Sequence, residues 1–270
     1  MLGKIAHRSI GELIGTVVNR KIAVYQANNY RGLSAEQSIE KIKATVLETG
    51  ARAVKFKVGG RMSHDADFPP GRSEQLIPLV RQTFGENMTI YADANGSYSV
   101  KKAIAIGRLM EQYHFDFFEE PVPFDWLEET KQVAEALEIP IAGGEQETSL
   151  HRFRWLIANE ALQIVQPDLF YFGGMIRSVR VARMAEAKGI LCTPHISGAG
   201  LGYLYMMHFV SAIPNASPFH EFKGFNKKIP FACDSSSWQN EDGVVMLPTG
   251  PGLGITLDAD FVKKHEQVIA

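Results

Sequence analysis

The chain is poor in cysteine. It has two among 270 residues, Cys192 and Cys233, and neither stands in a metal-ligand pair spacing. A disulfide framework is therefore not what holds this protein together, and Cys192, which follows Ile190 and Leu191 in an apolar run, reads as buried packing. Charge of one sign is also scarce. Lys and Arg number 28 against 30 Asp and Glu, a formal net charge of −2, which gives no electrostatic footprint for nucleic acid or an anionic membrane surface. No apolar stretch approaches the ~20 residues of a membrane span. The start, MLGKIAHRSIGELIG, has no long apolar core or small-residue cleavage site, so the cytoplasm is the expected compartment. Low-complexity segments are missing, as is any linker between residues 20 and 225. The remaining composition, 45% apolar and 21% charged, is that of an ordinary globular protein.

The most informative feature is a repeated acid. Asp93 in TIYADANG, Glu119 in FDFFEEP and Glu145 in PIAGGEQE are separated by 26 and again by 26 residues. Each ends a short apolar run with strand character and is followed by a segment with helical periodicity. Strand, acid, loop and helix at that period predict a βα barrel whose functional loops open on one face. Three acidic oxygen donors converging there would hold a hard divalent cation, Mg²⁺ in the first place.

The chain in order fills in the barrel. Apolar spacing over Leu2 to Ile14 predicts a helix ended by Gly15, and Ile22 to Tyr25 is the first strand. Ser34 and Gln37 predict a capping box for a helix closed by Gly50. In the second strand, AVKFKVG, alternation places Lys55 and Lys57 on the inward face and Val54, Phe56 and Val58 on the other. Two ammonium groups side by side are expected to lower the pKa of at least one of them, making it a usable base. The loop GGRMSHDADFPPGR offers Arg61, His64 and Arg72 to an anionic substrate. Helices are expected from near Ser73, from Val100 to Gln112 behind Ser99, from Trp126 to Leu137, from Thr148 or Ser149 to near Ala158, and from Met175 to Ala187. ALQIVQPD is the sixth strand, ending in Asp168, and ILCTPH the seventh, ending in His195. Gly198, Gly200 and Gly202 precede an apolar helix over Leu204 to Ala212, and FHEF, with Glu221, is the eighth strand. Beyond Gly224 the alternation is lost, and PTGPGLG reads as coil. Eight strands with seven intervening helices make the fold class α/β, a (β/α)7β TIM-like barrel.

Taken singly, these titratable residues have ordinary explanations. An Asp before Asn-Gly forms a turn, and a His after Thr-Pro can be a satisfied core residue. Taken together, Lys55, Lys57, Asp93, Glu119, Glu145, Asp168, His195 and Glu221 all fall at C-terminal strand ends, the edge where βα barrels gather their catalytic groups.

The motifs Lys55-x-Lys57, Asp93-Ala94-Asn95, Glu119-Glu120-Pro121, Gly144-Glu145, Gln166-Pro167-Asp168 and His195, in this order, resemble the barrel domain of the enolase superfamily, in its mandelate racemase subgroup. The resemblance implies Asp93, Glu119 and Glu145 as Mg²⁺ ligands, Lys57 as general base with Lys55 beside the substrate carboxylate, and His195, oriented by Asp168, as acid/base on the opposite face. Glu221 would hydrogen-bond the substrate carboxylate, and Asn95, Tyr25, Arg61 and His64 would contact the substrate. It implies abstraction of a proton α to a carboxylate, with acid-sugar dehydration to a 2-keto-3-deoxy acid as the first expectation. A racemase, epimerase or cycloisomerase is the second, and a non-catalytic binding or assembly module the third. The implied partner is a small carboxylate, with no nucleic acid or membrane, and the implied assembly is a homo-oligomer, dimer or octamer. Superfamily members also carry an N-terminal α+β capping domain. Residues 1–18 resemble a remnant of its last helix, 19–225 the barrel, and 226–270 the segment that returns to pack on that cap. A barrel without its cap is expected to bind Mg²⁺ but turn over poorly.

Overall fold

The computed structural model describes residues 1–196, 201–222, 240–257, 260 and 263. Gly198, Gly200, Cys233 and much of the 226–270 segment lie outside the described residues. Two short helices open the chain, α1 (Leu2–Ile5) and α2 (Ile10–Ile14). The barrel then alternates β1 (Lys21–Ala27), α3 (Ala35–Thr49), β2 (Ala53–Lys57), α4 (Arg72–Phe84), β3 (Thr89–Asp93), α5 (Val100–Gln112) and β4 (Phe117–Glu119). It continues with α6 (Leu127–Ala136), β5 (Ile141–Gly143), α7 (Leu150–Ala158), β6 (Ile164–Val165), α8 (Met175–Glu186), β7 (Leu191–Cys192), α9 (Leu201–Ser211) and β8 (His220–Phe222). A small hairpin, β9 (Asn240–Glu241) and β10 (Val244–Met246), follows.

Strands β1 to β7 pair in parallel with their sequence neighbours, and β8 pairs in parallel with β1. Cys192 N donates to Asn215 O (2.8 Å) and Ser217 N to Cys192 O (3.1 Å), tying β7 to the segment that enters β8 and closing the ring. The expected (β/α)7β order is thus the observed one. Its local signals act as read: Ser34 and Gln37 form the capping box of α3, Gly50 ends it in the left-handed region, and Ser99 and Ser149 cap α5 and α7.

Two segments differ from expectation. The predicted helix over residues 2–14 is broken, because Ser9 takes a β conformation and caps α2 in a reciprocal box with Glu12. The apolar spacing ran through this S-x-x-E start signal and concealed it. Beyond Gly224, where the strand–helix alternation is lost, a β9–β10 hairpin precedes the PTGPGLG coil and runs antiparallel to the first half of β1, with Lys21 opposite Met246. Its turn is Asp242-Gly243, both at positive φ, and it brings Val245 and Leu247 into the core.

The core has two layers. Val54, Phe56 and Val58 point outward and pack with Leu76, Ile77 and Val80 of α4. Inside the ring, Tyr25, Ala53, Tyr91, Phe117, Ala142 and Ile164 form a separate cluster. There Tyr91 and Phe117 stack at 3.8 Å between ring centroids, and Tyr25 meets Tyr91 edge-on at 5.3 Å. The barrel is therefore plugged below, and its polar residues collect above the plug.

One buried histidine gives the fold a pH dependence. His220 on β8 is fully buried with its Nδ1 unpartnered, and burial drives its pKa down to about 3. The folded chain keeps the imidazole neutral, whereas the unfolded chain binds a proton below about pH 6.5. Stability from this group is therefore complete above that pH and is lost as pH falls, by up to ~1.4 kcal/mol per pH unit. Between pH 7 and pH 5, urea unfolding of the parent should lose about 2 kcal/mol more than that of His220→Asn.

Candidate active site

The strand ends assemble the site. Asp93 and Glu119 are the last residues of β3 and β4, and Glu145 follows Gly143, the last residue of β5. Parallel register sets Lys57 beside Asp93 and Asp93 beside Glu119. One oxygen from each of Asp93, Glu119 and Glu145 lies within 4.8 Å of the other two, and all three residues are buried. Glu119 Oε1 is buried with no hydrogen-bond partner, a state that is costly unless another group coordinates it. Three converging carboxylates with an orphaned oxygen fit a hard divalent cation.

The two lysines meet this triad from β2. Lys55 Nζ donates to Glu119 Oε2 at 2.7 Å, lies 3.6 Å from Asp93 Oδ2, and sits 5.3 Å from the Tyr25 ring centroid. Lys57 Nζ donates to Asp93 Oδ2 and, at 3.0 Å, to Asn95 Oδ1. Crowding does not lower the pKa of Lys55. Burial does act downward, but the surrounding Glu119, Glu221 and Asp93 charges outweigh it, and its pKa is raised well above the ordinary value. These charges favour the ammonium form of Lys55. Among the acids, burial and the Asp93 charge push Glu119 up to about 8, against the pull of Lys55. Burial and Glu120 likewise raise Glu145. For Asp93 burial acts upward, but Lys57, Lys55 and Arg31 together hold its carboxyl below the usual range.

On the other side of the triad, His195 is held by Asp168. Asp168 Oδ1 accepts the Phe170 and Tyr171 amides (2.7 and 2.9 Å), which turns Oδ2 toward His195 Nδ1 at 2.7 Å. The carboxylate places the proton on Nδ1 and aims Nε2 at the acids, 3.4 Å from Glu145 Oε2 and 3.7 Å from Glu221 Oε2. Burial opposes protonation of this ring, but the Asp168 bond and the Glu221 and Glu145 charges prevail and raise its pKa to about 9. Glu221 Oε2 also accepts the Ile196 amide at 3.2 Å. Lys57, His195, Glu145, Glu221, Asn95 and Arg61 all line one cavity of about 1050 Å³.

Of the expected substrate contacts, Asn95 and Arg61 reach this cavity. Tyr25 does not, because its ring is fully buried in the plug beneath Lys55. His64 does not line it either, lying exposed at positive φ on the loop after β2. Arg72 is the clearest correction. It is 2% exposed and donates to Leu33 O (2.7 Å), Lys57 O (2.8 Å), Tyr30 O (3.0 Å) and Ser38 Oγ (2.9 Å). It bolts the start of α4 to the β1 loop and to the backbone of Lys57. Arg72→Met should lower the unfolding free energy by about 3 kcal/mol in denaturant titration, because several buried carbonyls lose their donor.

Sequence reasoning missed Arg31, which follows β1 in a loop of no periodicity. Its Nε donates to Gly59 O (3.1 Å), and its Nη2 to Asp93 O (3.2 Å) and Asn95 Oδ1 (2.9 Å). Gln166, of the Gln166-Pro167-Asp168 motif, is a second such residue. Its Nε2 donates to Glu119 Oε2 at 3.0 Å and fixes that carboxylate from the β6 side.

The family described as enolase C-terminal domain-like matches residues 37–261. An arabinonate dehydratase from Saccharolobus solfataricus is 29% identical over 95% of this chain and 66% of its own length. A D-galactarolactone cycloisomerase from Agrobacterium fabrum is 27% identical over 96% of this chain and 68% of its own. The chain thus spans about two thirds of the length of the curated relatives it matches. Among solved structures, a mandelate racemase/muconate lactonizing protein from Paracoccus denitrificans, complexed with magnesium, superimposes with a TM-score of 0.88 at 27% identity, over 97% of this chain and 71% of that one. No helix among the described residues is long and apolar enough to cross a membrane. With its closed ring, its triad of strand-end acids and a family match over most of its length, the chain belongs to the enolase superfamily, in the mandelate racemase subgroup.

Proposed function

We propose that this chain is the catalytic barrel of a Mg²⁺-dependent enzyme that removes the proton α to a carboxylate, acting as an acid-sugar dehydratase that yields a 2-keto-3-deoxy acid. The observation that carries the reading is the flanking of the triad. Lys57 touches its Asp93 end and the Asp168-held imidazole of His195 its Glu145 end, and both line the same cavity. Asp93, Glu119 and Glu145 would hold Mg²⁺, which when bound supplies positive charge to the substrate carboxylate as negative charge builds on it. The ammonium group of Lys55 adds to that field.

The protein's own groups move the protons. Lys57 Nζ, in its neutral form, takes the α-proton, and the electron pair of that C–H bond forms a carbon–carbon double bond. The β-carbon–oxygen bond breaks, its oxygen takes the proton carried on His195 Nε2, and water leaves. The resulting enol tautomerises to the keto acid. Asp168 keeps the imidazole in one tautomer and orientation through these steps. The names of the curated relatives, a dehydratase and a cycloisomerase of sugar acids, favour this class of substrate. The same two groups serve a second reading, racemisation, epimerisation or cycloisomerisation, if the β-hydroxyl stays in place. A homo-oligomer is the assembly proposed with either reading.

Incubating the chain with aldonic and aldaric acids in D₂O, with Mg²⁺ or with EDTA, separates these readings. A Mg²⁺-dependent 2-keto-3-deoxy product supports the dehydratase, and deuterated stereoisomers support the second reading. Unchanged acids, together with no Mg²⁺-dependent binding of them, would leave the barrel as a non-catalytic module.

A further inference from the structure

Four basic side chains line the cavity: Arg31, Lys57, Arg61 and His195. Two of them have carboxylate partners, Lys57 with Asp93 and His195 with Asp168. The two arginines do not. Arg31 spends its hydrogen bonds on Gly59 O, Asp93 O and Asn95 Oδ1, oxygens of peptide and amide groups. Among the described residues, no carboxylate lies within ion-pair distance of either guanidinium. Burial disfavours the charge of Arg31 most; the Asp93 charge favours it and the Arg61 charge disfavours it. Like charges left together on a cavity wall are stabilised by whatever anion enters between them.

Their position relative to the reacting groups matters as much as their charge. Asn95 Oδ1 accepts from both Lys57 Nζ (3.0 Å) and Arg31 Nη2 (2.9 Å), so Arg31 stands one shared acceptor away from the proposed base. Arg61 is exposed on the loop after β2 and lines the same cavity. An extended acid with its α-carbon at Lys57 and its carboxylate at the triad would share the cavity with these two residues. A neutral hydroxymethyl end leaves Arg61 without a carboxylate partner among the described residues. A terminal carboxylate or phosphate matches the planar fork of a guanidinium.

We infer that the substrate is dianionic, with a second anionic group at its other end, received by Arg61 with Arg31 beside it. This rests on the α-proton chemistry proposed above. It narrows the sugar acids to those whose far end is oxidised to a carboxylate or carries a phosphate.

Calorimetric titration of the whole chain at saturating Mg²⁺ tests it, with hexarates, 6-phosphohexonates and plain hexonates matched in hydroxyl configuration. At least one dianion should bind about tenfold more tightly than its hexonate, as a partly exposed charge-assisted pair allows. The tighter of the two dianions identifies the second group as carboxylate or phosphate. Arg61→Gln should reduce that advantage to less than about twofold, Arg61→Lys should retain part of it, and added salt should shrink it. Arg61 is the variant of choice because replacing Arg31 would also release Asn95. Hexonates binding as well as both dianions, or an advantage that Arg61→Gln leaves intact, overturns the inference and leaves the proposed reaction standing. No Mg²⁺-dependent binding of any acid overturns both.

Discussion

Replacing Lys57 by alanine is expected to lower turnover about 10³-fold and to abolish exchange of the substrate's α-proton with solvent, the scale of loss that follows removal of a positioned proton-transfer group. His195→Asn is expected to lower product formation by a similar factor while leaving exchange measurable. The two variants should differ because their groups flank different ends of the triad. Lys57 sits beside Asp93 and Asn95, whereas His195 reaches the acids from β7 through its Nε2. Asparagine retains a donor for Asp168 but carries no transferable proton. Deuterium incorporation by mass spectrometry and keto-acid yield, measured on the same samples, separate the two steps. Loss of both signals in His195→Asn with exchange surviving in Lys57→Ala would exchange their roles. Variants indistinguishable from the parent in every assay would remove the catalytic reading altogether.

Lys55→Met is expected to destabilise the metal-free chain by about 4 kcal/mol, because breaking one partner out of a buried ion pair leaves the other charge uncompensated. Lys55 is 1% exposed and Glu119 is fully buried, at 2.7 Å from each other. Glu119 can escape part of the penalty by binding a proton, its pKa being already pushed up to about 8. If the triad takes Mg²⁺ as proposed, the cation compensates Glu119 in place of the lysine. The deficit measured by urea unfolding in EDTA should therefore narrow when Mg²⁺ is added. An equal deficit in both conditions would mean that Glu119 does not contact the ion.

Much of this was legible in the residues. The 26-residue spacing of Asp93, Glu119 and Glu145 carries the barrel repeat, and two-residue alternation in β2 correctly turned Lys55 and Lys57 inward. The departures share a cause. A sequence shows which charges are near one another along the chain, but not which groups the fold brings around them. Lys55 and Lys57 look like mutual repellents until β3 and β4 place carboxylates on both. Arg72 looks like an anion binder until four neutral oxygens from the β1 loop, β2 and α3 enclose it. Arg31 gave no signal because its role comes from meeting Gly59 after β2 and Asp93 and Asn95 at the end of β3. The Ser9–Glu12 start of α2 was readable from local chemistry but continuous apolar spacing obscured it, and the Asp242-Gly243 turn was readable in a stretch where strand–helix alternation is lost.

The aromatic plug of Tyr25, Tyr91 and Phe117 makes the cavity a dead end. An ion seated on the triad has a hydrocarbon floor beneath it and cannot drain through the barrel, so it must come and go by the mouth the organic acid uses. Loading would then follow a fixed sequence, ion first and acid second. A bound acid would act as a stopper, and a chelator would strip the ion far more slowly from the ternary complex than from the binary one.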